Sequence, residues 1–331
     1  MYLMRFDMRA PEWGAATTGE LYAAALEMAA WGEANGCAQI VVSEHHASPD
    51  GYLPSPLVLA AAIAGRTRSV GIQVAALVVP LHDPVRLAED MAILDIVSGG
   101  RVGYVTAVGY RKEEYAMFGH SLSGRGARME ESLAVLRQAW TGEPFSYQGR
   151  PVHVTPKPLT PGGPMLFMGG NSAAAARRAA RLGMGMMAQG ADASIEQIYL
   201  DECEKLGKTA GPCMVPPPGT ATSVFISKDP DRSWEELGRY LLHDAQAYAE
   251  WLGDLNMAVS KSVARSTGEL RAQHGAYRIL TPDEAITLAK QYGVLLLHPL
   301  CGGVPPDLAW QSLELLESKV LPALSPPEGV G

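Results

Sequence analysis

Along the chain, short apolar runs alternate with longer stretches whose apolar residues recur at helical spacing. YLMRF at the start reads as a strand, residues 17–35 as a helix and AQIVVS as a second strand. Ser55-Pro56 opens the next helix, because proline fits a first helical turn. VGIQVAALVV is a third strand, and Asp83-Pro84 caps the helix VRLAEDMAILDIVS, which Gly99-Gly100 stops. RVGYVTAV, a helix from 126 to 140, PMLFMG, the helix SAAAARRAARL and GMGMMAQ follow in order. A helix near 195–206 and a proline-rich break lead to TSVFISK and a long helix over 234–252. Thr281-Pro282-Asp283-Glu284 is a capping box, in which Thr and Glu each satisfy a free backbone amide. Its helix leads to GVLLLHP and a last helix, DLAWQSLELLESKVLPAL.

This pattern predicts eight strand–helix units with no all-strand or all-helix half. Repeated βα units demand parallel strands with helices outside them. Eight of them fit a closed (β/α)8 TIM barrel better than an open doubly wound sheet. No G-x-G-x-x-G follows the first strand, which weakens the dinucleotide-fold alternative. The expected organisation is one barrel domain over 1–324 with a tail, 325–331, expected to be disordered. Residues 253–280 form a long polar insertion between the seventh and eighth strands. A lid over the barrel mouth is one reading of it, and a packed surface excursion is the other.

Composition narrows the function without naming it. The 331 residues are 47% hydrophobic and 19% charged, an ordinary globular balance. A net charge of −8 argues against nucleic-acid or anionic-membrane partners, which need clustered Lys and Arg. The four cysteines lie far apart with no C-x-x-C and read as reduced thiols. No apolar run approaches the ~18 residues that span a bilayer. Together these make a cytoplasmic protein the expectation.

In a barrel, chemistry sits on the loops that follow the strands' C-terminal ends. That singles out Glu44-His45-His46, which close the second strand. A purely structural reading has one imidazole satisfying a backbone carbonyl and the other solvated. A metal site is disfavoured, because successive strand residues point to opposite faces and no H-x-H adds ligands. One inward imidazole able to exchange a proton near neutral pH remains. A second feature is Gly169-Gly170-Asn171-Ser172, where a strand ends and an Ala-rich helix begins. Free amides and a small hydroxyl there make a ready anion site, although Ser suits any helix start.

Glu44-His45-His46, VVPLHDPVRLAEDMAILDIVSGGRVGYVTAVGY, MFG, GGNSAAAARRAARLG and GVLLLHPLCGG together resemble the luciferase-like flavin-dependent oxidoreductases, the family of bacterial luciferase. The matching segments span most of the chain in the family's order. The resemblance implies a barrel that binds reduced flavin at the strands' C-terminal ends. His45 would be the catalytic, proton-handling histidine beside the flavin's reactive carbon, with Glu44 near the flavin. Gly170, Asn171 and Ser172 would hold the flavin phosphate. Ala75-Ala76 falls where relatives carry a cis peptide that bulges under the flavin's central ring. Gly109, Tyr110 and Gln189 complete the implied cofactor-binding set. One departure stands out: the family's G-x-G-R-G-Y reads Thr106-Ala107-Val108-Gly109-Tyr110 here. Val108 replaces the cation near the phosphate, with Arg111 the nearest substitute.

The resemblance thus implies a monooxygenase using reduced FMN and O2 on a small organic substrate, with a separate flavin reductase as supplier. Hydride transfer with an 8-hydroxy-5-deazaflavin coenzyme is the alternative, and a non-catalytic flavin-binding barrel the second. The apolar helix after Pro84 suggests a homodimer face.

Overall fold

The computed structural model describes residues 1–255 and 258–324, so the expected tail, 325–331, lies outside the described residues. Its strands are β1 (Tyr2–Phe6), β2 (Gln39–Val42), β3 (Gly71–Leu77), β4 (Val102–Thr106), β5 (Phe145–Tyr147) and β6 (Arg150–Val152). After them come β7 (Met165–Gly169), β8 (Gly185–Met187), β9 (Cys213–Met214), β10 (Ser223–Ile226), β11 (Tyr277–Leu280) and β12 (Leu295–Leu297). Ten of these form one parallel sheet in the order β11-β10-β12-β1-β2-β3-β4-β7-β8-β9. The first and last strands pair in register, Tyr2 with Leu295 and Met4 with Leu297, the neighbour relation a barrel has between its first and last strands. The fold class expected from the sequence is therefore the one observed.

All eight predicted strands are present, and two more join the sheet. Strand β9 lies inside the proline-rich break and has only two residues, too few for a periodic signal. Strand β11 lies inside the segment read as polar and irregular, preceded there by a helix, Thr267–Ala272. Alternation is visible in hindsight, since Tyr277 and Ile279 are buried while Arg278 and Leu280 are half-buried. A short helix (Lys112–Met117) and the antiparallel β5–β6 hairpin are also additions. The last predicted helix is broken: Pro306–Leu315 is α-helical, Leu316–Val320 is a π turn, and Leu321–Leu324 resumes.

Helix starts follow the chemistry read from the sequence. Asp83 accepts from the Val85 and Arg86 amides, and Gly99 ends that helix at φ 68°, in the left-handed region. The Thr281/Glu284 capping box forms as expected. The conspicuous LD-x-x-SGGR run is scaffold. Asp95, fully buried, accepts from the Thr160 amide (2.7 Å) and hydroxyl (2.8 Å). Arg101 donates to the Ala64, Val70 and Ser98 carbonyls, pinning the end of helix Pro56–Arg66 beside β3 and β4.

Parallel strands place every strand-to-helix loop at one end, and that end gathers the chain's polar groups. Among the described residues no helix is long and apolar enough to cross a membrane. All four cysteines are free thiols.

Candidate active site

Strand β2 ends in Ser43-Glu44-His45-His46, all four buried. The Ser43 hydroxyl donates to the Ala75 carbonyl (2.6 Å) and the Glu44 amide to the Ala76 carbonyl (3.3 Å), tying β2 to the end of β3. The Ala75–Ala76 peptide is cis, as the resemblance implied, and the β3–β4 register shifts there by a bulge. Glu44 does not face open space. Its Oε1 accepts from His46 and His82 (both 2.8 Å), and its Oε2 from the Val78 amide (2.5 Å). Burial pushes this carboxyl up, but those hydrogen bonds outweigh it and hold the pKa at about 2. Three of the carboxylate's acceptor positions thus serve neighbours, and Glu44 ties the end of β2 to the loop after β3.

His45 has a different partner. Its Nδ1 lies 2.8 Å from Glu114 Oε1, while Nε2 has only a long contact, 3.5 Å, to the Tyr110 hydroxyl. Glu114 also accepts from the His46 amide (3.0 Å) and Arg111 (3.1 Å), and these bonds hold its carboxyl below the usual range despite burial. An ionised carboxylate at Nδ1 fixes the proton there, so Nε2 carries the lone pair. Burial lowers the His45 pKa, the Glu114 bond opposes that, and the nearby Arg9 and Arg111 charges lower it further. The result is a neutral imidazole with a free acceptor. Aromatic rings surround it: Trp251 at 4.6 Å, Tyr52 at 4.9 Å, Tyr110 at 5.8 Å and Tyr248 at 6.0 Å between centroids.

Beside this chamber lies a buried charge cluster with no counterpart in the sequence reading. Arg9, fully buried, donates to Asp244 (2.9 Å) and Asp50 (2.5 Å) and lies 3.9 Å from Asp7. Asp50 also takes a bond from His243 (2.7 Å), and its pKa falls well below the carboxylate range in spite of burial. Asp7 accepts from the Gly302 amide (2.8 Å) and lies 3.3 Å from His298. Asp7, Asp244, His298 and Cys301 bring their donor atoms within 4.8 Å of one another. Arg9 already supplies the positive charge for those carboxylates, and burial keeps the Cys301 thiol protonated.

The remaining sequence-predicted positions lie on successive loops of the same end. Gly109 is at φ 69°, and an added Cβ would stand 2.7 Å from Val78, so its need for glycine is steric. Gly170 is likewise confined, with Ala175 at 3.0 Å from an added Cβ. Ser172 caps its helix through the Ala175 amide (3.2 Å). Asn171 lines a cavity of about 820 Å3 shared with Gly190, Thr220, Lys261 and Ser262, and its buried Oδ1 has no partner among the described residues. Gln189 is exposed, and its carbonyl accepts from the Val259 amide (3.2 Å). Arg111 does not stand in for the cation missing at Val108. It donates to the His46 carbonyl (2.6 Å) and to Glu114, on the His45 side of the mouth.

Sequence reasoning missed Glu114, His82, Arg9, Asp50, Asp244, His298 and Trp251. The loop that follows each strand was the available signal: Arg9 follows β1, Glu114 follows β4 and His298 follows β12. Asp244 and Trp251 sit on the helix Pro230–Leu252, where nothing in the pattern separates a site residue from a core one.

Known proteins resemble this chain in shape and in sequence. The oxygenating constituent of 3,6-diketocamphane monooxygenase from Pseudomonas putida, solved with FMN, superposes with a TM-score of 0.69 at 18% identity. That match covers 97% of this chain and 98% of that one. An F420-dependent secondary alcohol dehydrogenase, solved with an F420–acetone adduct, gives 0.67 at 15%, covering 98% and 99%. The alkanal monooxygenase alpha chain of Photorhabdus luminescens is 29% identical over 149 residues, 44% of this chain but only 41% of its own length. The sequence profile of the luciferase-like monooxygenases matches residues 4–285. With that profile running from the first strand into the helix after β11, and with the barrel to match, this chain is an enzyme of the luciferase-like monooxygenase family.

Proposed function

We propose that the protein is a flavin-dependent monooxygenase that uses reduced FMN and O2 to oxidise a small organic substrate. The observation that carries this reading is His45, held neutral with Nε2 free, beside the β3 bulge and walled by aromatic rings. A bound reduced flavin would supply the electrons and the oxygen chemistry; the chain supplies binding, proton handling and exclusion of water. His45 Nε2 takes a proton during the reaction and returns it, and Glu114 stabilises the imidazolium in between. The aromatic walls keep water from the reacting centre.

The residues present fit a flavin tail. Asn171 on the cavity wall carries a side-chain amide that suits a hydroxyl-bearing chain. The amides at Gly170–Ser172 suit a phosphate, and Lys261 on the same cavity wall, whose Nζ donates to the Gly253 and Leu255 carbonyls, is a cation that could turn to answer for Val108. The enclosed volume lies within the roughly 300–1,000 Å3 of small-molecule sites. Residues 253–280 would close over this cavity, since Lys261, Ser262 and Gln273 belong to its lining.

The deazaflavin alternative draws on one feature: a neutral acceptor imidazole also suits removal of a hydroxyl proton during hydride transfer. Anaerobic titration with reduced FMN and with reduced deazaflavin, followed by air, separates the two. Preferential FMN binding with oxygen uptake supports the monooxygenase. Preference for deazaflavin with no oxygen consumption replaces it by hydride transfer, and FMN binding without turnover of either kind leaves a binding barrel. A separate reductase would supply the reduced flavin, and a homodimer in the cytoplasm would be the working form.

A further inference from the structure

The Trp251 indole stands in the space over His45, with the Arg9 guanidinium carbon 4.5 Å and the Arg111 carbon 4.3 Å from its ring. Both guanidiniums are buried, and each has a nitrogen with no hydrogen-bond partner among the described residues: Nη2 of Arg9 and Nε of Arg111. A buried donor without an acceptor is destabilising, and more so when it is charged. Ring faces return part of that as cation–π attraction but offer no lone pair in the donor's plane. The helix that carries Trp251 ends at Leu252, and Gly253 follows at φ 50°, a conformation open to glycine.

Charge decides what kind of acceptor belongs there. Arg5, Arg9 and Arg111 give three positive charges around the chamber, against four negative ones from Asp7, Asp50, Asp244 and Glu114. A carboxylate ligand would add to an excess that already exists. A neutral oxygen satisfies the same donors without that penalty. The walls, Tyr52, Tyr110 and Tyr248, are flat and apolar.

We propose that the chamber over His45 binds a flat, uncharged ring bearing a carbonyl oxygen, that oxygen accepting from Arg9 and Arg111 once the Trp251 indole has moved aside. The proposal deepens the flavin reading, because it takes His45 as the reaction centre. The occupant is an aromatic carbonyl substrate, bound beside the flavin and not in its place.

The test is isothermal titration with acetophenone, benzoate and ethylbenzene, on the protein alone and on the protein saturated with FMN. Acetophenone is expected to bind at least about tenfold tighter than ethylbenzene, as one charge-assisted hydrogen bond implies, and tighter than benzoate. Arg111→Lys keeps the charge, removes Nε and should abolish that preference; Trp251→Ala should strengthen acetophenone binding. Thermal melts confirm that both variants fold. Acetophenone binding that survives FMN saturation assigns the slot to the substrate, and competition with FMN overturns the proposal. Benzoate or ethylbenzene binding as tightly as acetophenone overturns the proposal, as does binding of none of the three, or a preference unchanged by Arg111→Lys. If FMN fails to bind while acetophenone does, the flavin reading falls and the slot stands.

Discussion

His45 depends for its protonation state on a residue 69 positions away, Glu114. The carboxylate holds the proton on Nδ1 and attracts the imidazolium, while burial opposes that charge. A reaction that needs the neutral imidazole therefore runs at full rate above the His45 pKa, which lies below its ordinary value, and fails as pH falls through it. Glu114→Gln keeps an acceptor at Nδ1 but removes the charge that raises this pKa. The acidic limb of kcat/KM is expected to move to still lower pH, with kcat/KM down on the order of a hundredfold. A limb that stays where it is would show that Glu114 does not act through His45. At this scale the sequence displays the histidine, because it closes an obvious strand. It hides the carboxylate, because a Lys-Glu-Glu start to a short helix looks like any solvated helix turn.

The elements around the mouth are joined by one carboxylate. Glu44, at the end of β2, binds His82 and the Val78 amide from the loop after β3, so it fastens two neighbouring strands where the bulge lies. Its pKa of about 2, against 4.5 ordinarily, corresponds to roughly 3 kcal/mol. With the folded value depressed, that stability is complete above the unfolded carboxylate value and disappears as pH falls towards about 2. His82 is raised despite burial because it pairs with Glu44, so its share is complete below its unfolded value and is lost as pH rises through the folded one. Melting temperature measured across pH should therefore fall on both sides of a mildly acidic optimum, and Glu44→Gln should lower the optimum and flatten both limbs. Limbs of unchanged steepness in the variant would exclude this link as their cause. Elements were legible wherever local chemistry sets them: the Asp83 cap, the Gly99 stop and the Thr281 box all form. Those fixed only by tertiary pairing were not, and β9, with two residues bonded to β8, is the plainest case. The most family-specific run illustrates a further limit, since Asp95 and Arg101 serve packing and touch none of the chamber residues.

At the scale of the whole molecule, buried polar groups gather at the mouth, and one side wall exposes several aliphatic side chains. Ile93, Ile96 and Val97, on the helix Pro84–Ser98, are 48%, 40% and 53% exposed. Val58, on the helix Pro56–Arg66 packed beside it, is 71% exposed. Grouped aliphatic side chains on a barrel wall make this stripe the candidate for the homodimer face proposed above. A second copy of the chain is the simplest occupant, because a two-fold axis through the stripe pairs each residue with its own kind. Ile93 and Val97 are one helical turn apart and share a face. Replacing both with Asp removes four aliphatic side chains from a two-fold interface, on the order of 6 kcal/mol, or about four powers of ten in Kd. Sedimentation equilibrium should find the parent chain dimeric at micromolar concentration and the double variant monomeric with its fold intact. A monomeric parent chain would sink the idea. Should the dimer hold, its contact helix starts at Asp83, directly after His82, so association would bear on the same loop that Glu44 fastens to β2. Loss of the dimer would then show as a shift in the alkaline limb of stability, where the charge on His82 is what the fold relies on.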